Sequence, residues 1–229
     1  MREIVLDTET TGLDPHDGHR IVEIGCVELI NYVPTGETRQ YYINPQRDMP
    51  EEAFKVHGLS AEFLADKPCF EEIAEDFLSF VREDILVIHN AEFDLRFLNA
   101  ELERLGHPPI PAARAFDTVA LARRRFPGAQ ASLDALCRRV SIDLSARSLH
   151  GALLDCQLLA SVYLELRGGR QPGLTLDGAT EAMAAGKAAV ERRFRPARPH
   201  APSESELAAH ALMLQKIKEP LWLAEAAQS

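Results

Sequence analysis

Long apolar runs are missing from this 229-residue chain. No stretch approaches the ~18 uncharged apolar residues that a membrane-spanning helix needs, so no membrane partner is expected. The opening residues carry no charged-then-apolar leader pattern, and a cytoplasmic location is expected. Cysteine is scarce. Cys26, Cys69, Cys137 and Cys156 stand far apart in apolar segments and no CxxC pair occurs. That spacing argues against a zinc site or a disulfide framework and predicts buried free thiols in a reducing compartment. Positive charge is also short where it would matter for gripping duplex DNA. Residues 1–170 hold 18 Lys and Arg against 28 Asp and Glu, whereas the last 59 residues hold seven of each. A binder working by bulk electrostatics should be basic. An enzyme that neutralises its own acids with metal ions, and grips a short stretch of substrate, need not be.

What is present is organised around Ile4-Val5-Leu6-Asp7-Thr8-Glu9-Thr10-Thr11-Gly12. Three β-favouring apolar residues read as a strand covered on both faces. Residues two apart in a strand point the same way, so Asp7 and Glu9 project together, with Cα atoms roughly 6–7 Å apart. Paired carboxylates at a buried strand repel each other unless a cation lies between them. They read either as half of a site for hard divalent metals or as an acidic turn whose side chains cap backbone groups.

The rest of the domain follows by pattern. A second strand is expected over about 20–30 and a turn at Pro34-Thr35-Gly36. A third strand over about 38–43 completes an antiparallel meander. Short helices near 51–56 and 60–65 bracket Val56-His57-Gly58-Leu59, and Ile73, Phe77, Leu78 and Val81 stripe a helix over 70–81. Ile85–Ile88 reads as a fully apolar strand leading into a helix, and Ala115-Phe116-Asp117 as a short fifth strand. Helices follow at about 118–125, 132–140 and 151–167. The predicted fold class is α/β: a mixed five-stranded sheet flanked by helices, with a C-terminal linker and docking tail.

Two more acids fall in telling places. Asp94 stands in the first turn of a helix just past a buried strand, where ligand sites gather in α/β sheets; it could equally serve the helix dipole alone. Asp155 lies among Leu153, Leu154, Leu158 and Leu159, and a carboxylate there needs a partner. His150 precedes it by five residues, which is about 140° off the same helical face. The two can share a site only if His150 sits on the loop before the helix. Gly151 permits that, and a loop imidazole with a pKa near ~6.5 suits a general base.

Asp7-Thr8-Glu9, His89-Asn90-Ala91-Glu92-Phe93-Asp94 and His150-Gly151-Ala152-Leu153-Leu154-Asp155 resemble the three motifs of the DEDDh exonuclease superfamily, whose fold is ribonuclease-H-like. Phe116–Arg123, Phe126-Pro127-Gly128 and Ser132–Cys137 carry the likeness further, toward the proofreading branch that serves bacterial DNA polymerase III. The likeness spans about residues 1–169. It implies a 3′→5′ exonuclease in which Asp7, Glu9, Asp94 and Asp155 hold two divalent ions, Mg²⁺ or Mn²⁺, and His150 activates water. The product would be a nucleoside 5′-monophosphate taken from a single-stranded 3′ end of DNA. Thr10, Leu13, Val56, His57 and Phe93 match family positions around the terminal nucleotide, although Leu13, Val56 and Phe93 could be core residues and His57 a helix cap. Asn90 is expected to support the site indirectly.

Beyond a domain at 1–170, Gln171-Pro172-Gly173-Leu174-Thr175-Leu176 resembles a sliding-clamp-binding peptide, with Gln171, Leu174 and Leu176 as anchors. Residues 177–202 read as a linker, ending in a run with four arginines and three prolines. Residues 203–229 open on a capping box, Ser203-Glu204-Ser205-Glu206. Leu207, Ala211, Leu214 and Ile217 then form one stripe, and the only tryptophan, Trp222, follows. Such a segment reads as a docking peptide, and the resemblance implies the DNA polymerase III alpha subunit as its partner. Two rivals remain: a freestanding exonuclease trimming RNA or oligonucleotides, and a non-catalytic subunit that keeps the fold. The tail argues against the first, and the complete set of acids and histidine against the second.

Overall fold

The computed structural model describes residues 1–145, 149–169 and 201–218. The chain divides into two compact units, Met1–Thr175 and Leu176–Ser229. The clamp-peptide anchors Gln171, Leu174 and Leu176, and also Trp222, lie outside the described residues.

In the first unit the central strand β1 (Arg2–Thr10) pairs antiparallel with β2 (Ile21–Ile30), which pairs antiparallel with β3 (Val33–Tyr42). On its other side β1 runs parallel to β4 (Ile85–Ile88), and β4 parallel to β5 (Ala115–Asp117). The order β3-β2-β1-β4-β5 is the expected mixed five-stranded sheet. β1 carries Asp7 and Glu9 inside its last four residues, as strand alternation required. One expectation needs correction. The β2–β3 turn is Asn31-Tyr32, not Pro34-Thr35-Gly36, which lies within β3. Asn31 and Tyr32 both take positive φ, 50° and 70°, the two-residue turn whose twist suits a hairpin. Tyr32 lacks the usual glycine signal, and Arg167 stacks over its ring.

Helices cover both sheet faces. Even-numbered strand residues (Ile4, Leu6, Ile24, Cys26, Leu86, Ile88) share a core with α3 (Phe70–Val81) and α4 (Ala91–Arg104). Odd-numbered ones (Val5, Val27, Leu29, Val87) pack on α5 (Thr118–Arg125), α6 (Leu133–Arg139) and α7 (Ala152–Leu166). This is the period-two rule of a strand buried on both sides. Two short helices, which we number out of this order as α1 (Glu51–His57) and α2 (Ala61–Ala65), lie between β3 and α3. Cys26, Cys137 and Cys156 are buried free thiols as expected, but Cys69 is only half-buried, because it begins α3 and its N–H donates to Glu72.

In the second unit α8 (Glu204–Leu214) starts on the expected capping box: Glu206 N–H donates to Ser203 Oγ at 3.4 Å and Ser203 N–H to Glu206 at 2.8 Å. Leu207 is exposed and Leu214 buried. Ile217 lies past the end of the helix, in a turn closed on Leu214 O, so it does not extend the helical stripe. Among the described residues no helix is long and apolar enough to cross a membrane.

Candidate active site

The last residues of β1 gather acids from three elements. Asp7 and Glu9 stand on the odd face, opposite Gly25 and Glu23 of β2. Asp94, in the first turn of α4, comes from the even side. Its Oδ1 accepts the Thr8 N–H at 3.0 Å and the Thr8 hydroxyl at 2.7 Å. Burial and the neighbouring charges of Asp94, Glu9, Asp155 and Glu23 push the Asp7 carboxyl well above the usual carboxylate range. Asp94 is pushed up to about 7 by burial, against the lowering effect of the two Thr8 bonds.

The turn that presents Asp94 is braced from the neighbouring strand. Asn90 takes a left-handed conformation at φ 70°, and its N–H donates to Asp117 Oδ1 at 3.2 Å, which also caps α5 through Val119 N–H. Asn90 thus supports the site through its backbone.

α7 delivers Asp155 within its first turn, and His150 lies on the loop just before it, as the helical geometry required. His150 Nδ1 stands 3.3 Å from Asp155 Oδ2, and its side chain is half-exposed. The loop is held from the far side: His150 N–H donates to Val56 O at 3.1 Å, and Leu149 lies over Gly58. Gly58 has φ +73°, a left-handed conformation that favours glycine.

Glu9, His150 and Asp155 each offer a ligand atom within 4.8 Å of the others. Asp7 and Asp94 are not part of that triplet; they join it by the charge coupling just described. Carboxylate oxygens with one imidazole, in surroundings where the carboxylates repel one another, form a donor set that fits a hard divalent cation.

Beside the acids lies a cleft of about 520 Å³ lined by Thr10, Leu13, Val56, His57 and Phe93 among others. Leu13 is 79% exposed and Val56 47% exposed, which rules out core packing for both. Phe93 does both: it lines the cleft and stacks at 5.0 Å on the buried Phe97. His57 is buried, and its Nδ1 accepts the Leu59 N–H at 3.0 Å, which fixes the proton on Nε2. That Nε2 has no full hydrogen-bond partner, although the Thr10 carbonyl is close by. Burial lowers the His57 pKa, so the ring is neutral; the residue lines the cleft, while its Nε2 is buried.

Sequence reasoning missed Thr8, Glu23 and Gly25. Thr8 sits between two acids and was read only as part of their motif. Glu23 is buried opposite Glu9, and burial raises its carboxyl pKa. A Cβ on Gly25 would lie 2.4 Å from the Ala152 carbonyl carbon, so this glycine lets α7 approach the sheet. The Glu-x-Gly pattern in β2 was the available signal.

The chain is similar to known proteins in both sequence and fold. The Exonuclease (RNase_T) family profile matches residues 4–163. The DNA polymerase III subunit epsilon of Rickettsia prowazekii (strain Madrid E) is 58% identical over 174 residues, covering 75% of this chain and 76% of that one. The protein of the same name from Escherichia coli (strain K12) is 44% identical over 230 residues, covering 95% and 94%. Among solved structures, exonuclease X in complex with 5′ overhanging duplex DNA superposes with a TM-score of 0.58 at 28% identity, covering 72% of this chain and 90% of that one.

Proposed function

The chain belongs to the Exonuclease family, within its DNA polymerase III epsilon-subunit branch, and from that membership we propose how its residues carry out proofreading. It is a metal-dependent 3′→5′ exonuclease. The observation that carries the residue assignment is the meeting of Glu9, His150 and Asp155 within 4.8 Å, beside a cleft sized for one nucleotide.

In this reading Asp7, Glu9, Asp94 and Asp155 hold two Mg²⁺ or Mn²⁺ ions. When bound, the ions neutralise charge on the scissile phosphate and make water acidic enough to attack near neutral pH. His150, on a half-exposed loop, takes the proton from the attacking water. The new bond forms from that oxygen to phosphorus and the P–O3′ bond breaks. A nucleoside 5′-monophosphate leaves, and the shortened strand keeps a 3′ hydroxyl after its oxygen takes a proton. Leu13, Val56 and Phe93 grip the terminal nucleotide. His57 and Thr10 border it. Thr8 keeps Asp94 in place.

Base reading is unnecessary for selecting errors. A mispaired end unstacks at less cost than a paired one, by a few kcal/mol, and a cleft that accepts only a frayed single strand discriminates through that difference. The docking reading extends this: Gln171, Leu174 and Leu176 bind the sliding clamp, and Leu207, Leu214, Ile217 and Trp222 bind the polymerase alpha subunit in the cytoplasmic, nucleoid-associated replisome. A chain ending at Gly169 should keep nuclease activity and lose co-elution with polymerase; retained co-elution sinks the tail assignment.

The central test is cleavage of a 3′-mismatched primer–template, a matched one and a single-stranded RNA of equal length, with Mg²⁺ and with EDTA. Faster, EDTA-sensitive loss of the mismatched DNA end with a 5′-monophosphate product is expected. Preference for the RNA overturns the proofreading reading.

A further inference from the structure

Glu23 has no role in the chemistry above, yet it is 2% exposed. A buried carboxylate is costly unless its oxygens are bonded. Elsewhere in this domain the bonding is easily seen: buried Glu101 takes a bidentate pair of bonds from Arg20, at 2.6 and 2.7 Å, and Glu3 accepts the Tyr163 hydroxyl at 2.8 Å. Glu23 has no cationic partner among the described residues. Its donors are neutral. Gln40 Nε2 meets Oε1 at 2.8 Å, and the Ala152 N–H meets Oε2 at 3.2 Å.

The second donor shows what the side chain holds. Ala152 is the first residue of α7, and the N-cap residue, Gly151, has no side chain to satisfy the open N–H groups of the first turn. Glu23 reaches across 129 residues of sequence to accept one of them. Gly25, two residues along on the same face, removes the side chain that would keep α7 away. Farther along the same helix, the Cys156 thiol donates to Gly25 O at 3.2 Å. Glu23, Gly25 and Cys156 therefore set the height of α7 over β2. Asp155 is fixed within that turn by its N–H bond to Gly151 O at 2.9 Å, and His150 enters just before it. Because Glu23 lies opposite Glu9 in the strand register, one residue links the β1 acid to the helix, and its entry loop, that supply the other two members of the triplet.

We propose that Glu23 is a positioning residue that caps α7 from β2 and so sets Asp155 and His150 against Glu9. The inference rests on the exonuclease reading of that triplet.

Two conservative variants separate reach from charge. Glu23→Asp keeps the charge but withdraws the acceptor by one methylene. Glu23→Gln keeps an acceptor at full reach, and Gln40 can flip to accept from the new amide. The full-length protein is titrated with Mn²⁺, free ion being read by electron paramagnetic resonance, and kcat and KM are measured on a single-stranded oligonucleotide. Glu23→Asp should raise the Mn²⁺ half-saturation and lower kcat by about 10-fold or more, the usual effect of removing a group that orients metal ligands, with KM little changed. Glu23→Gln should stay close to wild type in both. A Glu23→Asp protein with a lower Tm but unchanged Mn²⁺ affinity and kcat overturns the proposal, since the residue is then only structural. Glu23→Gln impaired as much as Glu23→Asp overturns it too, since charge and not reach is then what matters. Wild-type protein that binds no Mn²⁺ removes the exonuclease-site reading itself, and this inference with it.

Discussion

Both faces of the sheet carry an apolar core, but beside the site their contacts differ. On the α3–α4 face the core is made of large side chains, with Phe70, Phe77, Phe97, Ile4, Leu6 and Leu86 almost wholly buried. On the α7 face the contacts next to the site are small or polar: Gly25 under Ala152, the Cys156 thiol on a carbonyl, Glu23 on a helix terminus. Apolar burial is non-directional and tolerates small shifts. Hydrogen bonds and backbone contact fix distance and angle. Apolar burial stabilises both faces, and the small and polar contacts beside the site fix where Asp155 and His150 stand.

That contrast can be tested at three levels. The largest effect is expected where the second face meets chemistry: Asp7→Ala should abolish hydrolysis while the circular dichroism spectrum stays native, and normal activity in that protein would end the metal assignment. Next comes a matched pair. Phe77→Ala should cost about 3–5 kcal/mol of stability in denaturant titrations and leave kcat nearly unchanged in the folded fraction. Gly25→Ala should cost less, about 1–3 kcal/mol from overpacking, yet lower kcat markedly. Equal effects on kcat from both would erase the distinction between the faces.

The third test is a pH dependence. The folded-state pKa of Asp94 is about 7 against an ordinary 3.8, so the folded chain holds this proton more tightly than the unfolded chain. The resulting stabilisation is complete below the ordinary value and is lost as pH rises through about 7. In EDTA, wild type should therefore lose Tm relative to Asp94→Asn between about pH 4 and pH 7, and Mg²⁺ should shrink the gap. A gap independent of pH would show that Asp94 is not strained by its surroundings.

Much of this was legible in the sequence because it depends on local periodicity. Alternation assigned β1 residues to opposite faces. A helical rotation count put His150 on a loop, where it is found. The Ser203 capping box appears where its spacing put it. What stayed hidden depends on partners far away in the chain. The left-handed Asn31-Tyr32 turn carries no glycine, and its Tyr32 ring lies under Arg167, 135 residues on. The bonds from Thr8 to Asp94 and from Ala152 to Glu23 span 86 and 129 residues, and no local pattern announces either. The exposure of Leu13 and Val56 was hidden for the same reason, since an apolar residue lining a cleft has the same letter as one in a core.

The long span between Glu23 and Ala152 also bears on when the protein becomes dangerous. Asp7 and Glu9 are synthesised roughly 150 residues ahead of Asp155 and its helix. At a synthesis rate of about 5–20 residues per second, a nascent chain spends on the order of ten seconds with its acids but without its last ligand. On the proposed ligand set, a copy that stops before Asp155 should be inactive, and nuclease activity should arrive only with the segment that closes the domain.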